Sequence, residues 1–206
     1  MTTYTEDTIV NAQWILDSIV WQSPFPDVQN PNAWYYDHVA FGSHHGIFSG
    51  DNHGNFNPRN NLTRAEFVTM LWNMEGQPAH NGTASFLDVS NQWFAPPILW
   101  AAENNIVAGS DGRFNPGGQI TRQEMAVILR NFAERYLEIA IPQTRPPNVF
   151  NDNDQIALWA ADAVNALFRA EVINGVGNNN FNPRGNATRA EAAAMLRNFL
   201  ENVLGW

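Results

Sequence analysis

Hydrophobic and polar residues follow one pattern three times along this chain. A Thr-x-x-Glu sequence at Thr63, Thr121 and Thr188 is followed each time by apolar residues at spacings of three and four, which are typical of an amphipathic helix. In that sequence the hydroxyl caps a backbone N–H and the glutamate reaches back, so a helix is predicted to begin at each threonine. The apolar positions are Phe67, Met70, Leu71; Met125, Ile128, Leu129; and Ala192, Met195, Leu196, Phe199. We expect these three helices to bury their apolar faces on one another in a central three-helix bundle.

A shorter helix is predicted ahead of each capped helix, beginning near Trp34, Trp93 and Trp159. In the third unit Trp159, Ala163, Val164, Leu167 and Phe168 form its apolar stripe, and in the second unit the stripe is Trp93, Ile98, Leu99 and Ala102. Loops rich in Gly, Asn and Asp separate the two helices of a unit. A further helix is predicted over residues 5–20. The fold class is therefore all-α, with three helical-hairpin units and an N-terminal helix.

The internal spacing of the units is nearly constant, which is the signature of tandem repeats. Phe56, Phe114 and Phe181 each precede the capping threonine by seven positions, and we expect all three to be core residues. The predicted organisation is an N-terminal helix in 1–24 and repeats over 25–76, 86–138 and 150–204, together forming one compact domain. Proline and glycine in the connectors predict loops there.

Charge and composition exclude several classes of function. The chain of 206 residues has a formal net charge of -9, no cysteine and 11 basic residues, all of them arginine. Such an acidic chain is a poor nucleic-acid binder, and it offers no disulfide or thiolate zinc site. No stretch reaches the roughly 18 apolar residues that a membrane span requires. The acidic start, Met1 to Asp7, does not resemble a signal peptide. We therefore expect either a cytosolic protein or a piece of a longer secreted one.

An arginine follows each capping threonine, at the first helical position: Arg64, Arg122 and Arg189. This end of a helix carries unpaired N–H groups and the positive pole, so a cation there costs a few tenths to about 1 kcal/mol. Because arginine beside free amides receives a carboxylate or phosphate well, we infer an anion-binding position at each helix start. The alternative is a structural ion pair with the protein's own aspartates, Asp27, Asp88 and Asp152.

Other repeated residues also have two interpretations. The three tryptophans are either core residues of the hairpins, which we favour, or platforms on which sugar rings stack. Gly50, Gly109 and Gly175 are expected to adopt a left-handed turn, and they would also let a ligand approach the main chain.

The repeated residues are similar to the S-layer homology domain family, whose pattern is F-x-D-V, W, G-I-x-x-G, F-x-P and T-R-A-E. The first unit has Phe25-Pro26-Asp27-Val28, Trp34, Gly46 to Gly50, Phe56-Asn57-Pro58 and Thr63 to Glu66. The first glycine of G-I-x-x-G is replaced by Asn105 and Glu171 in the other units. The resemblance implies a pseudo-threefold, three-pronged domain around a central helix bundle. It also implies a non-catalytic, extracellular anchor on the bacterial cell wall or S-layer.

The resemblance further implies the ligand and the residues that bind it. The ligand would be secondary cell-wall polysaccharide with anionic substituents, typically pyruvylated N-acetylmannosamine, held in grooves between repeats without cofactor or metal. The implied ligand-binding residues are Arg64, Arg122, Arg189, Asp27, Asp88, Asp152, Trp34, Trp93, Trp159, Gly50, Gly109, Gly175, Ser49 and Ser110. The arginine and the aspartate of one groove are expected to come from different units.

The sequence also bears on three other functions. A self-assembly module, in contact with other surface-layer proteins, is compatible with the acidic composition and eight tryptophans. A glycan-processing enzyme would need a pair of carboxylates, but the candidate carboxylates recur in all three units, whereas an active site is usually unique. Calcium binding by Asp51-Asn52-His53-Gly54 does not fit an EF-hand, because the glycine falls too early and the twelfth position has no glutamate. His44, His45 and His53 are interpreted as surface residues.

Overall fold

The structure is a computed structural model that describes residues 22–82 and 84–206. The described residues contain six α-helices: α1 (Tyr36–His44), α2 (Arg64–Met74), α3 (Ala95–Glu103), α4 (Arg122–Asn131), α5 (Leu158–Arg169) and α6 (Arg189–Asn202). A π-helical turn, Phe132–Tyr136, extends α4, and a short 3-10 helix spans Asn153–Gln155. The all-α fold class is confirmed. The predicted helix over 5–20 lies outside the described residues.

The second helix of each repeat begins where its capping sequence predicts. Thr63, Thr121 and Thr188 each accept a hydrogen bond from the backbone N–H of the glutamate three residues later, and each glutamate binds back to the threonine amide. The first helices begin close to the tryptophans, and α3 has prolines in its first turn as expected. None of the described helices is both long and apolar enough to cross a bilayer.

Neighbouring repeats, rather than the two helices of one repeat, provide the main helix packing. Helix α2 packs on α3, α4 on α5 and α6 on α1, so the second helix of each repeat lies against the first helix of the next. The third of these contacts joins the last repeat to the first. The expected core residues Phe56, Phe114 and Phe181 are buried. One core cluster runs through all three repeats.

Three backbone hydrogen bonds join the repeats just ahead of the capped helices. The Leu62 amide donates to the Ala187 carbonyl at 2.8 Å, Ala187 to Ile120 at 2.9 Å, and Ile120 to Leu62 at 2.9 Å. Each residue lies one position before the capping threonine, so the bonds close a ring over equivalent positions of the three repeats. The pseudo-threefold, three-pronged shape of the whole domain remains a prediction.

Candidate functional site

Each helix-start arginine reaches from its own repeat into the next one. Its Nε donates to the carbonyl of the repeated phenylalanine and its Nη1 donates to the capping-box glutamate of that same neighbour. The pairs are Arg64 with Phe114 and Glu124 (both 3.0 Å), Arg122 with Phe181 (2.8 Å) and Glu191 (2.7 Å), and Arg189 with Phe56 (2.6 Å) and Glu66 (3.1 Å). Each guanidinium also lies over the ring of that phenylalanine. The arginines therefore join the repeats in cyclic order.

The helix-start amides are not available to an anion, which corrects the sequence-based inference. The amide of Arg64 donates to the Gly118 carbonyl, and that of Ala65 donates to the Pro116 carbonyl. The corresponding amides of the other two helices donate to carbonyls of the following repeat in the same way. The third amide is taken by the capping threonine. Sequence inspection missed these partners because they are backbone atoms of another repeat.

The alternative that the arginines pair with the repeated aspartates is also wrong. Asp152 instead accepts the amides of Phe181 (2.8 Å) and Asn182 (2.7 Å), within its own repeat. Asp27 and Asp88 bind the equivalent amides of their repeats. Burial acts to raise the pKa of the Asp88 carboxyl, but hydrogen bonds from the backbone outweigh it and lower the pKa. The aspartates thus hold the Phe-Asn-Pro segment whose carbonyl the arginine contacts.

The three repeated glycines do not adopt the left-handed conformation that we expected. Positive φ angles occur instead at Gly46, Asn105 and Glu171, directly after the first helix of each repeat. Gly109 is required by a close approach, since a Cβ there would lie 2.3 Å from the Arg113 carbonyl oxygen. Gly50 and Gly175 likewise face the backbone of the segment that follows them. The loop is therefore folded tightly on itself at these glycines.

Three clefts lie beside the arginines, and each takes one part from each repeat. The loop that contains Gly50, Gly109 or Gly175, here called the glycine loop, comes from one repeat. The arginine comes from the preceding repeat and the tryptophan from the following repeat. Cleft 1 has Gly50, Arg189 and Trp93; cleft 2 has Gly109, Arg64 and Trp159; cleft 3 has Gly175, Arg122 and Trp34. Their volumes are about 750, 630 and 480 Å³, within the usual range of ligand sites. Ser49 lines cleft 1 and Ser110 lines cleft 2, while the three aspartates are outside these linings.

The tryptophans are surface residues, so their assignment to the hairpin core is corrected. Trp34, Trp93 and Trp159 are 60%, 62% and 59% exposed. In the third repeat the buried stripe is Ala160, Ala163, Val164 and Leu167, one position later than predicted at its start. Trp159 therefore points away from the core and forms part of cleft 2. An exposed indole in a cleft offers a flat apolar face to a ligand.

An asparagine near the end of each second helix was missed by the sequence analysis. Asn73, Asn131 and Asn198 each line a cleft, and each side-chain amide donates to a carbonyl of the glycine loop. Each lies nine positions after the helix-start arginine, so its recurrence was visible in the sequence. The glutamates of the capping boxes also line the clefts, a second role that a local motif does not indicate.

The electrostatics of the clefts reflect partial burial of these ion pairs. Burial lowers the pKa of the Arg122 and Arg189 guanidinium groups, while the neighbouring Glu191 and Glu66 carboxylates act in the opposite direction. Both arginines stay protonated at neutral pH. Among the described residues, no cluster of three or more His, Asp or Glu could hold a metal ion.

Three helical repeats jointly build three equivalent clefts in this domain. The sequence model of the S-layer homology domain matches residues 24–68, 85–126 and 149–193. The chain belongs to this family, as the resemblance of its repeats implied.

The relatives include surface proteins and large enzymes. The chain is 33% identical over 181 residues to an amylopullulanase of Thermoanaerobacterium thermosulfurigenes, across 86% of this chain and 9% of that protein. It is 30% identical to an S-layer protein of Bacillus thuringiensis subsp. finitimus, across 84% and 21% of the two chains. It is 31% identical to a cellulosome-anchoring protein of Acetivibrio thermocellus, across 78% and 36%. The chain thus spans about a third or less of these relatives' lengths. The relatives confirm the extracellular, cell-wall-associated location.

Proposed function

We propose that this domain is a non-catalytic, carbohydrate-binding anchor that holds a protein on the bacterial cell wall. Its ligand is cell-wall polysaccharide with anionic, pyruvylated sugar residues, bound in the clefts between repeats. The role of a surface-anchoring module is supported by family membership and by the relative named as a cellulosome-anchoring protein.

The observation that carries the proposal is the threefold recurrence of one exposed indole beside one arginine in a cleft. Sugar rings present C–H groups on their faces, which pack on an indole. They also present hydroxyl and carboxylate groups at their edges, which suit an arginine and the polar atoms of the glycine loop. Three such clefts on one domain would bind successive or neighbouring chains of a polymer, so avidity would add to a weak single-site affinity.

The capping-box glutamates that line the clefts support binding rather than hydrolysis. Glu66, Glu124 and Glu191 each accept hydrogen bonds from a threonine on one oxygen and from an arginine on the other. A glycosidase needs one carboxyl group to deliver a proton and a second one to act on the sugar. Both oxygens of each glutamate therefore already accept hydrogen bonds within the protein, and these groups join the repeats instead of facing a sugar with a free carboxyl group.

Calorimetry with purified cell-wall polysaccharide tests the proposal. The exposed tryptophans are better targets than the arginines, because each arginine also joins two repeats. We expect the triple variant W34A/W93A/W159A to lose at least about tenfold in affinity, since a hot-spot aromatic contributes about 2 kcal/mol or more. Trp206→Ala is the matched control, because Trp206 is 48% exposed and is not among the residues that line the clefts. Unchanged affinity in a folded triple variant would refute the proposed role of the clefts.

A second function, self-assembly with other surface-layer proteins, is supported by exposed apolar side chains. Leu87, Val149 and Leu158 are largely exposed, and self-assembly would require them to meet apolar side chains of a second molecule. Light scattering without polysaccharide tests this function. Concentration-dependent growth of particles that L158Q abolishes would favour it, while a monomer at all concentrations would contradict it.

A further inference from the structure

Cleft 2 differs from the other two clefts in its second cation. Arg113 lines cleft 2 together with Arg64. Asn55 and Asn180 occupy the equivalent position in the other repeats. Arg113 directly precedes Phe114, whose carbonyl accepts the Arg64 Nε and whose ring lies under the Arg64 guanidinium. Two cationic side chains therefore line this one cleft.

Arg64 also has more hydrogen-bonding capacity left than its counterparts. The Nη2 of Arg122 donates to the Asn174 carbonyl and that of Arg189 donates to the Ser49 carbonyl. The Nη2 of Arg64 has no acceptor among the described residues. Its side chain is the most exposed of the three, at 15% against 7% and 12%. One edge of the Arg64 guanidinium is thus open to a ligand in cleft 2.

The acidic residues that line the clefts increase the difference in charge between cleft 2 and the other two clefts. Cleft 1 is lined by Asp51 and Glu66 with a single arginine, and cleft 3 by Glu191 with a single arginine. Cleft 2 has two arginines and one carboxylate, Glu124. Asp88, whose pKa Arg113 helps to lower, is held by the amides of its own repeat. Cleft 2 is therefore the one cleft of the three with an excess of positive charge.

We propose that cleft 2 is the carboxylate-selective subsite, with Arg113 and Arg64 as its specificity-determining residues, and that clefts 1 and 3 take uncharged sugar residues. The inference rests on the proposed carbohydrate-binding function and adds a division of labour among the clefts. A planar carboxylate accepts parallel hydrogen bonds from guanidinium groups, which makes such contacts stronger than those to a neutral hydroxyl.

The tryptophans make this division measurable, because each cleft contains one of them. The indole N–H signals of Trp93, Trp159 and Trp34 report clefts 1, 2 and 3 in a proton–nitrogen NMR spectrum and are assigned with single Trp→Phe variants. The probes are the methyl glycoside of N-acetylmannosamine and the same sugar with a pyruvate ketal. We expect the ketal to shift the Trp159 signal at about tenfold lower concentration than the unmodified sugar, the gain of one charge-assisted hydrogen bond. The signals of Trp34 and Trp93 should respond equally to both sugars.

The variant R113Q should abolish the preference for the ketal at Trp159, and R59Q should not. Arg59 is exposed and does not line the clefts, so it controls for the loss of one positive charge. An equal preference for the ketal at all three tryptophans, or a preference that survives R113Q, would overturn this inference and leave the binding function intact. If neither sugar shifts any of the three signals, and the wall polysaccharide does not bind, the proposed function fails as well.

Discussion

Repeated carboxylates in this protein fix backbone geometry between residues that are far apart in sequence. Asp152 holds two amides about thirty positions away, and Glu191 connects the cap of its own helix to an arginine of the preceding repeat. A buried carboxylate with two amide donors has both oxygens satisfied. The loops beside the clefts are thus held by aspartates that do not line them and by glutamates that do.

Replacing Asp152 by asparagine tests this role of the aspartates. The new side-chain amide would place a donor against a backbone donor, so one buried N–H would lose its acceptor. We expect a loss of about 1–3 kcal/mol in the free energy of unfolding, measured by chemical denaturation. Asp154→Asn is the control, since Asp154 is exposed and the change of charge is identical. Equal stability of the two variants would contradict the structural role.

Protonation of two partly buried histidines is expected to make the free energy of unfolding depend on pH. Burial lowers the pKa of His38, assisted by the nearby Arg197 charge, and burial together with His44 lowers the pKa of His45. Because the unfolded chain binds a proton more readily, stability is complete above about pH 6.5 and decreases as the pH falls below that value.

His38→Gln should flatten this decrease, and His53→Gln should not, because His53 lies in an exposed loop. The measurement is the melting temperature between pH 7.5 and pH 5. An identical pH profile for H38Q and the original protein would contradict the assignment to His38.

At the scale of the element, each repeat is a short helix, a tight loop and a capped helix. The turn after the first helix uses Gly46, Asn105 and Glu171 with positive φ, so glycine is replaceable there at some cost in strain. Gly50, Gly109 and Gly175 do not have a positive φ, and glycine is needed there because a Cβ atom would lie too close to nearby backbone atoms. This difference explains why the first glycine of the motif varies among the three repeats and the last one does not.

Gly109→Ala tests the space requirement in the cleft 2 loop. A Cβ at this position would lie 2.3 Å from the Arg113 carbonyl oxygen and 2.6 Å from the Phe86 ring. We expect a loss of about 1–3 kcal/mol in stability, the usual cost of overpacking. Gly117→Ala is the matched control, because its Cβ would meet nothing within 4 Å. A G109A variant as stable as G117A would show that the loop relaxes freely.

For the whole molecule, the cyclic order of contacts makes the repeats mutually dependent. Arg189 in the last repeat contacts Phe56, Glu66 and Ser49 in the first one. Helix α6 packs on α1 across the same junction. Unlike an open stack of repeats, in which each unit contacts only its sequence neighbours, this arrangement joins the two ends. Cooperative unfolding of all three repeats is therefore expected.

Arg189→Gln should weaken this closure. The substitution would leave Glu66 partly buried without its cation, which should lower the free energy of unfolding by up to about 3 kcal/mol. Unfolding should still occur in one transition. Arg184→Gln serves as the control, because Arg184 is exposed. Circular dichroism at 222 nm and tryptophan fluorescence during denaturation measure both the stability and the cooperativity. Separate transitions by the two probes would contradict the dependence among repeats.

Local interactions are what the sequence by itself determined. The repeat order, the helix starts at Thr63, Thr121 and Thr188 and the core phenylalanines depend on periodicity and on residues within one or two helical turns, so they could be predicted. The partners of Arg189, the exposure of Trp159 and the role of Gly109 were decided by the tertiary structure. Arg189 and Phe56 are 133 positions apart, and such a contact exists only after the chain has closed. The clefts have the same origin, because each needs a glycine loop, an arginine and a tryptophan that come together from three different repeats.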